Sequence, residues 1–108
     1  MSTYTRKIGS NRGRPRIWLE GAILFDNGFK HGDSWDISID VKAAMIIHLS
    51  ETGKRKIAGS ESRPIIDIIG GAIEAVLDVS KVKKIKVEVV AKGYLKLTAI
   101  SEDLKHVK

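Results

Sequence analysis

The sequence has no cysteine, three histidines and no long apolar run. Without cysteine the chain has no disulfide, no thiolate nucleophile and no cysteine-based zinc site. The longest apolar stretches, residues 65–77 and 87–91, are too short or too interrupted for a membrane-spanning helix, which needs ~20 apolar residues. The basic start of the chain is not followed by the apolar segment of a secretory signal. We therefore expect a cytoplasmic protein that does not interact with a membrane.

Catalytic and metal-binding patterns are also scarce. The histidines are His31, His48 and His106. They are predicted in a turn, a strand and a tail, without the spacing of metal ligands. Asp36 and Asp40 have the alternation of a solvated strand face rather than that of a catalytic carboxylate pair. Residues 9–13 lack the Lys-Ser/Thr pair and the long following helix of a phosphate-binding P-loop. The sequence thus predicts neither an enzyme nor a bound metal or cofactor.

Positive charge is the most distinctive feature of the composition. The formal net charge is +6, and a small basic chain attracts polyanions before specific contacts form. Five cations and no acid lie between residues 6 and 16, namely Arg6, Lys7, Arg12, Arg14 and Arg16. A second basic run contains Lys81, Lys83, Lys84 and Lys86. The alternative interpretation is that the charge serves only solubility.

An internal repeat organises the chain. At a shift of 49 residues the aligned identities are residues 6–8 with 55–57, residues 14–15 with 63–64, Ile17 with Ile66 and Gly21 with Gly70. After one deletion the alternating apolar residues Ile37, Ile39 and Val41 align with Ile85, Val87 and Val89 at a shift of 48 residues. The same order of patterns in both halves is hard to obtain by chance, so the sequence predicts a duplicated unit.

The predicted fold is mainly β with short helices. Strands are expected at residues 3–8, 15–20, 35–41 and 45–49 in the first copy and at 54–58, 64–68, 85–89 and 95–97 in the second, with helices at 21–27 and 71–77. Polar turns follow the short basic strands. A single unit can hardly bury enough surface to fold alone. We therefore expect two β-α-β-β repeats, about residues 3–50 and 54–99, in one compact domain spanning residues 1–108 with a tail at 100–108.

The first copy resembles a known DNA-binding family. Arg6-Lys7-Ile8, Gly13-Arg14 and the Gly-Phe-x-x-Gly turn at residues 28–32, which follows Trp18-Leu19 and a helix, are similar to the AbrB/SpoVT family and to its SymE-type branch. The resemblance covers the first copy well and the second more loosely. It implies a swapped-hairpin barrel in which one chain forms a pseudo-twofold intrachain pseudo-dimer. It also implies that Arg6 and Arg14 contact phosphates or bases.

The basic segment is the best candidate binding site. The alternation of β-strand residues should direct Arg14 and Arg16 away from Pro15 and Ile17, where they can reach phosphates or guanine edges. The candidate nucleic-acid-binding residues are Arg6, Lys7, Arg12, Arg14, Arg16, Arg55, Arg63, Lys84 and Lys86. Trp18 has the same parity and is a candidate for stacking or partner docking. A solvated hairpin is the alternative, and ion pairs within the chain would favour it.

Two functions fit these patterns. The first is nucleic-acid binding, to duplex DNA before RNA, by an antitoxin-like transcriptional regulator or a nucleoid-type protein. The second is a protein-interaction module of a phage or mobile element that inhibits or assists a DNA-acting enzyme. The second copy favours the latter because it has Glu61 and Ile65 where the first has Arg12 and Arg16. Two such chains could further associate into a homodimer.

Overall fold

A computed structural model describes residues 3–40, 44–75 and 82–101, which form strands and two short helices. In chain order the elements are β1 (Thr3–Lys7), β2 (Gly9–Asn11), β3 (Arg14–Glu20), α1 (Ala22–Phe25), β4 (Ser34–Ile39), β5 (Met45–Leu49), β6 (Arg55–Lys56), β7 (Ala58–Gly59), β8 (Pro64–Ile69), α2 (Gly71–Glu74), β9 (Val82–Ala91) and β10 (Tyr94–Ser101). The prediction of a mainly β protein with short helices is confirmed.

Several predicted boundaries need correction. The segment predicted as a polar turn at residues 9–13 contains strand β2, which pairs with β3. Helix α1 ends at Phe25 rather than at residue 27, and α2 ends at Glu74. The rest of the predicted second helix, residues 76–77, and the predicted strand end at Val41 lie outside the described residues. Strand β10 continues to Ser101, beyond the predicted start of the tail.

The strands form two antiparallel sheets with strands from both halves of the chain in each. The six-stranded sheet has the order β1-β9-β10-β5-β4-β6, and the four-stranded sheet has the order β2-β3-β8-β7. Each of the strands β1 to β5 can be matched in turn with its counterpart among β6 to β10. With this matching, the strand order of each sheet is the same whether it is read from one edge or from the other. The two sheets do not close into a barrel in the described ranges, and the expected swapped-hairpin barrel stays a prediction. Pairing continues across the middle of each sheet, but the edge strands do not meet.

Two glycines connect the central strands of the smaller sheet to the helices. Gly21 has φ 77° and ψ −136°, and Gly70 has φ 72° and ψ −118°. This combination of positive φ and strongly negative ψ is accessible only to glycine, which lacks a Cβ atom. The amide of Gly21 donates to the carbonyl of Pro64, and that of Gly70 donates to the carbonyl of Pro15. Residues aligned in the sequence thus have matching backbone conformations and matching partners.

An apolar cluster of described residues joins the sheets and helices. Alternation along β3 and β8 directs Ile17, Leu19, Ile66 and Ile68 inward, where they pack with Val87 and Leu95 of the larger sheet and with Phe29. Trp35 is also buried, as predicted, and its indole Nε1 has no hydrogen-bond partner among the described residues. No helix in the described ranges is both long and apolar enough to cross a membrane. The packed core leaves the outer faces of both sheets for interactions.

Candidate nucleic-acid interface

The first hairpin ends in a turn that holds an arginine in an unfavourable conformation. Strands β2 and β3 pair through Asn11 and Arg14, and the two residues between them are Arg12 with φ 55° and Gly13 with φ 81°. Positive φ at both positions is the signature of a type I′ turn, which favours Asn-Gly. Arg12 is the one non-glycine residue with positive φ in the described ranges. Its exposed side chain has no ion pair or hydrogen bond with a described residue.

A groove of about 400 Å³ separates this hairpin from the start of β9. Its lining residues are Ile8, Gly9, Ser10, Gly13, Arg14, Pro15, Val82 and Lys83, which together we call the hairpin groove. The amide of Ile8 donates to the carbonyl of Lys83 at 2.9 Å and fixes one end of the groove. Arg14 and Lys83 contribute cationic side chains to its lining. The described lining of the hairpin groove therefore includes two cationic residues.

Two lysines lie next to the hairpin groove on the outer face of the six-stranded sheet. Lys7 of β1 is directly opposite Lys84 of β9, and the neighbouring residues Ile8 and Lys83 line the groove. Neither lysine side chain has an ion pair with a described residue. Like charges on directly opposite positions are destabilising unless an anion neutralises them. We call Lys7, Arg12 and Lys84, each of which is next in sequence to a residue that lines the hairpin groove, the basic corner.

Strand β3 has the predicted alternation. Its buried residues are Pro15, Ile17 and Leu19, and its opposite face carries Arg14, Arg16, Trp18 and Glu20. The prediction that Arg14 and Arg16 project together from the hairpin is therefore confirmed. Whether they are available to a ligand depends on β8 and α2, which are adjacent to them.

Arg14 and Arg16 are both held by carboxylates. Arg16 donates from Nε and Nη2 to the two oxygens of Asp67, each at 2.9 Å, and both side chains are about two-thirds covered. The Asp67 hydrogen bonds raise the pKa of Arg16, against the smaller opposite effect of burial. Arg14 donates to Glu74 at 2.8 Å and lies against Gly70, whose missing side chain leaves room for it. These ion pairs count against both arginines as free phosphate contacts.

Two further predicted cations also have acidic neighbours. Arg63 Nε lies 3.6 Å from Glu20 Oε2, and Lys86 Nζ lies 3.5 Å from Glu88 Oε1. Both pairs are substantially exposed, and pairs of this kind contribute little to stability because water and salt screen them. Arg63 and Lys86 therefore remain accessible, but their charge is partly compensated.

The remaining two predicted arginines lie over aromatic rings. Arg6 is 5.4 Å from the ring centre of Tyr4 and donates to the carbonyl of Thr5. Arg55 belongs to β6, at the edge of the six-stranded sheet opposite β1. Its guanidinium is 5.5 Å from the ring centre of Trp35. The structure thus places Lys7 opposite Lys84 and Arg12 at the tip of the hairpin that lines the adjacent groove, whereas Arg55 lies at the other edge of the six-stranded sheet.

Trp18 lies on the exposed face, as its parity predicted. It is 39% exposed, its indole Nε1 donates to Glu20 at 3.0 Å, and the Arg16 guanidinium lies 4.5 Å from its ring centre. Ile69, on the neighbouring strand of the same sheet, is 41% exposed. The outer face of the four-stranded sheet therefore combines apolar side chains with internally paired charges.

A second groove was not predicted from the sequence. It has a volume of about 530 Å³ and is lined by Phe25, Lys30, His31, Glu61 and Ser62. It lies at the tip of the second hairpin, with Glu61 at the position that Arg12 occupies in the first. The sequence indicates this difference between the two hairpins, because the second repeat has an acid where the first has an arginine. This groove therefore has an aromatic wall and mixed charge instead of the cationic lining of the hairpin groove.

The described part of the chain contains no group of three or more His, Asp or Glu side chains arranged to hold a metal ion. The imidazole Nε2 of His48 is 2.9 Å from the hydroxyl of Ser38, on an open strand face. Comparisons of the chain with protein-family models, with curated proteins and with solved structures find no match.

Proposed function

We propose that this protein binds nucleic acid, with duplex DNA as the preferred form, through the basic corner. It acts as a transcriptional regulator or nucleoid-type protein and not as an enzyme. The observation that carries the proposal is Arg12, which occupies a turn position that favours asparagine or glycine and has no partner in the described chain. A residue kept in a strained conformation at an exposed tip points to a role outside the fold.

The charge arrangement supports this proposal. Lys7, Arg12 and Lys84 are cations without acidic partners in the described ranges, and Arg14 and Lys83 line the adjacent hairpin groove. Each cation that neutralises a phosphate releases counterions, so the logarithm of the affinity falls by about 0.9 per contact for each tenfold increase in salt. The three unpaired cations predict a slope of about −3 for duplex DNA.

The architecture proposed for this function is a duplicated swapped-hairpin unit similar to the AbrB/SpoVT family. Strand order in both sheets supports it, because β1 of the first half pairs with β9 of the second while β6 of the second half pairs with β4 of the first. The matching conformations of Gly21 and Gly70 support it as well. In this arrangement each half completes the sheet of the other, and one chain forms a cytoplasmic pseudo-dimer.

The two halves of the proposed pseudo-dimer are not equivalent toward DNA. The second hairpin has Glu61 and Ser62 at its tip, and neither has a positive φ. An acidic residue there repels phosphate. We therefore expect one DNA-binding corner per chain.

Titration of labelled duplex at several salt concentrations tests the proposal. The triple variant Lys7→Ala, Arg12→Ala, Lys84→Ala is expected to lose nearly all duplex binding and the salt slope. The control variant Lys54→Ala, Lys56→Ala, Lys92→Ala removes the same number of charges elsewhere and should bind nearly as well as the unchanged protein. Equal losses in the two variants would show that only net charge matters and would refute a specific corner.

A protein-interaction module is the second candidate function. The exposed Trp18 and Ile69 favour it, as does the groove beside Phe25, because aromatic and apolar anchors dominate protein interfaces. A stoichiometric protein that is retained from nuclease-treated lysate, and lost with Trp18→Ala, would support this function. Retention that depends on nucleic acid would support the first.

A further inference from the structure

The outer face of the six-stranded sheet carries an exposed aromatic pair. The ring of Tyr94 in β10 stacks on that of His48 in β5, with the centres 6.2 Å apart and the planes inclined by 29°. Tyr94 is 40% exposed, and the His48 ring is held from its other side by the hydroxyl of Ser38 at 2.9 Å. The Tyr94 ring is thus held in place by His48 and keeps its outer side exposed to solvent.

A series of lysines connects this aromatic pair with the basic corner. Strand register places Lys84, Lys86 and Lys96 on the same outer face, on the adjacent strands β9 and β10. Lys96 lies two residues from Tyr94 along β10, on the side toward Lys84. At about 3.3 Å per residue, the distance along the strands from Lys84 to Tyr94 is roughly 20 Å, enough for three or four nucleotides of an extended strand.

We propose that this surface, which we call the sheet track, binds single-stranded nucleic acid. A base stacks on Tyr94, and Lys86 and Lys96 bind the phosphates that lead toward the basic corner. Stacking on an aromatic ring requires an unpaired base, because the faces of bases inside a duplex are covered by their neighbours. The inference extends the proposed function and shares Lys84 with the basic corner, but its test uses Tyr94 and Glu88, so each proposal can fail without the other.

One acidic residue opposes this binding and supplies a test. Glu88 lies between the lysines, opposite Lys96 on the neighbouring strand and 3.5 Å from Lys86 Nζ. Its carboxylate repels a phosphate and compensates part of the lysine charge. Glu88→Gln therefore should increase single-strand affinity, whereas a surface without a nucleic-acid role would show no change.

The experiment compares Tyr94→Leu, Tyr94→Phe and Glu88→Gln with the unchanged protein. The probes are labelled oligo-dT and oligo-U of about 12 nucleotides, within the site sizes of single-strand binders, and a labelled duplex. Tyr94→Leu should weaken oligo-dT and oligo-U binding about 5- to 100-fold, the range for loss of one stacked base, and leave duplex binding unchanged. Tyr94→Phe retains the ring and should bind like the unchanged protein.

The possible results separate the two proposals. Unchanged oligonucleotide binding by Tyr94→Leu, or an equal loss for duplex and single strand, would overturn the sheet track. So would the absence of any single-strand binding by the unchanged protein. Because Glu88→Gln predicts a gain of affinity, misfolding of a variant cannot imitate its expected result. Loss of duplex binding in the basic-corner variant tests the proposed function independently of all these outcomes.

Discussion

Arg12 allows stability and binding to be separated by one substitution. Its φ of 55° places an arginine in the left-handed region, at the first central position of a turn whose second residue is already Gly13. Arg12→Asn creates the Asn-Gly pair that this turn type favours most. The same substitution removes a cation without a described partner. We therefore expect the variant to be more stable and to bind duplex DNA less tightly.

The magnitudes follow from the backbone and from the charge. A non-glycine residue in the left-handed region costs roughly 1–2 kcal/mol, and asparagine recovers part of it, so the gain in unfolding free energy should be about 0.5–1 kcal/mol. For a chain of this size that corresponds to a rise in Tm of about 2–6 °C. One phosphate contact contributes a salt slope of about 0.9, so its loss should weaken duplex binding about eightfold at ~0.1 M salt.

Thermal unfolding followed by circular dichroism measures the first effect, and fluorescence anisotropy at several salt concentrations measures the second. Lys54→Asn is the matched control because it also replaces one exposed cation by asparagine, beside β6 at the far edge of the larger sheet. It should leave the salt slope unchanged. A fall in stability for Arg12→Asn would refute the turn assignment. Equal binding by the two variants would refute a contact from Arg12.

Three further substitutions test the hairpin surroundings. Asp67→Asn should lower stability but raise duplex affinity, because it frees the Arg16 guanidinium; the affinity change is read from duplex titration. Asp67 raises the pKa of Arg16, so this arginine is fully charged near neutrality and loses its charge only as the pH rises above that pKa. The stability difference between Asp67→Asn and the unchanged protein should therefore be constant between about pH 7 and 9. Gly70→Ala and Gly21→Ala should each cost about 1–3 kcal/mol of unfolding free energy in denaturant titration, because both glycines have positive φ. The Cβ at Gly70 would also meet the Arg14 guanidinium, but this is the end of a flexible, exposed side chain that can move aside, so the two costs should be similar.

The sequence predicted the parts of the site that depend on local pattern. Alternation along β3 correctly directed Arg14, Arg16 and Trp18 outward, and the alternation of Ile85 and Val87 directed Lys84 outward. The boundaries of the short elements were predicted less accurately. Strand β2, for example, has no apolar residue of its own and forms only because it pairs with β3. The groove beside the second hairpin could not be predicted because its walls come from segments that are distant in the sequence.

The sequence alone determined which side chains face the core and which face solvent, because that choice follows from a two-residue period. It did not determine which of the outward charges are neutralised. Arg16 meets Asp67 from a strand 51 residues away, and Arg14 meets Glu74 from a helix 60 residues away. Lys7 and Lys84 face each other only through the register of β1 with β9. Pairing between distant strands sets these distances, so only the tertiary structure decided which cations remain available to a ligand.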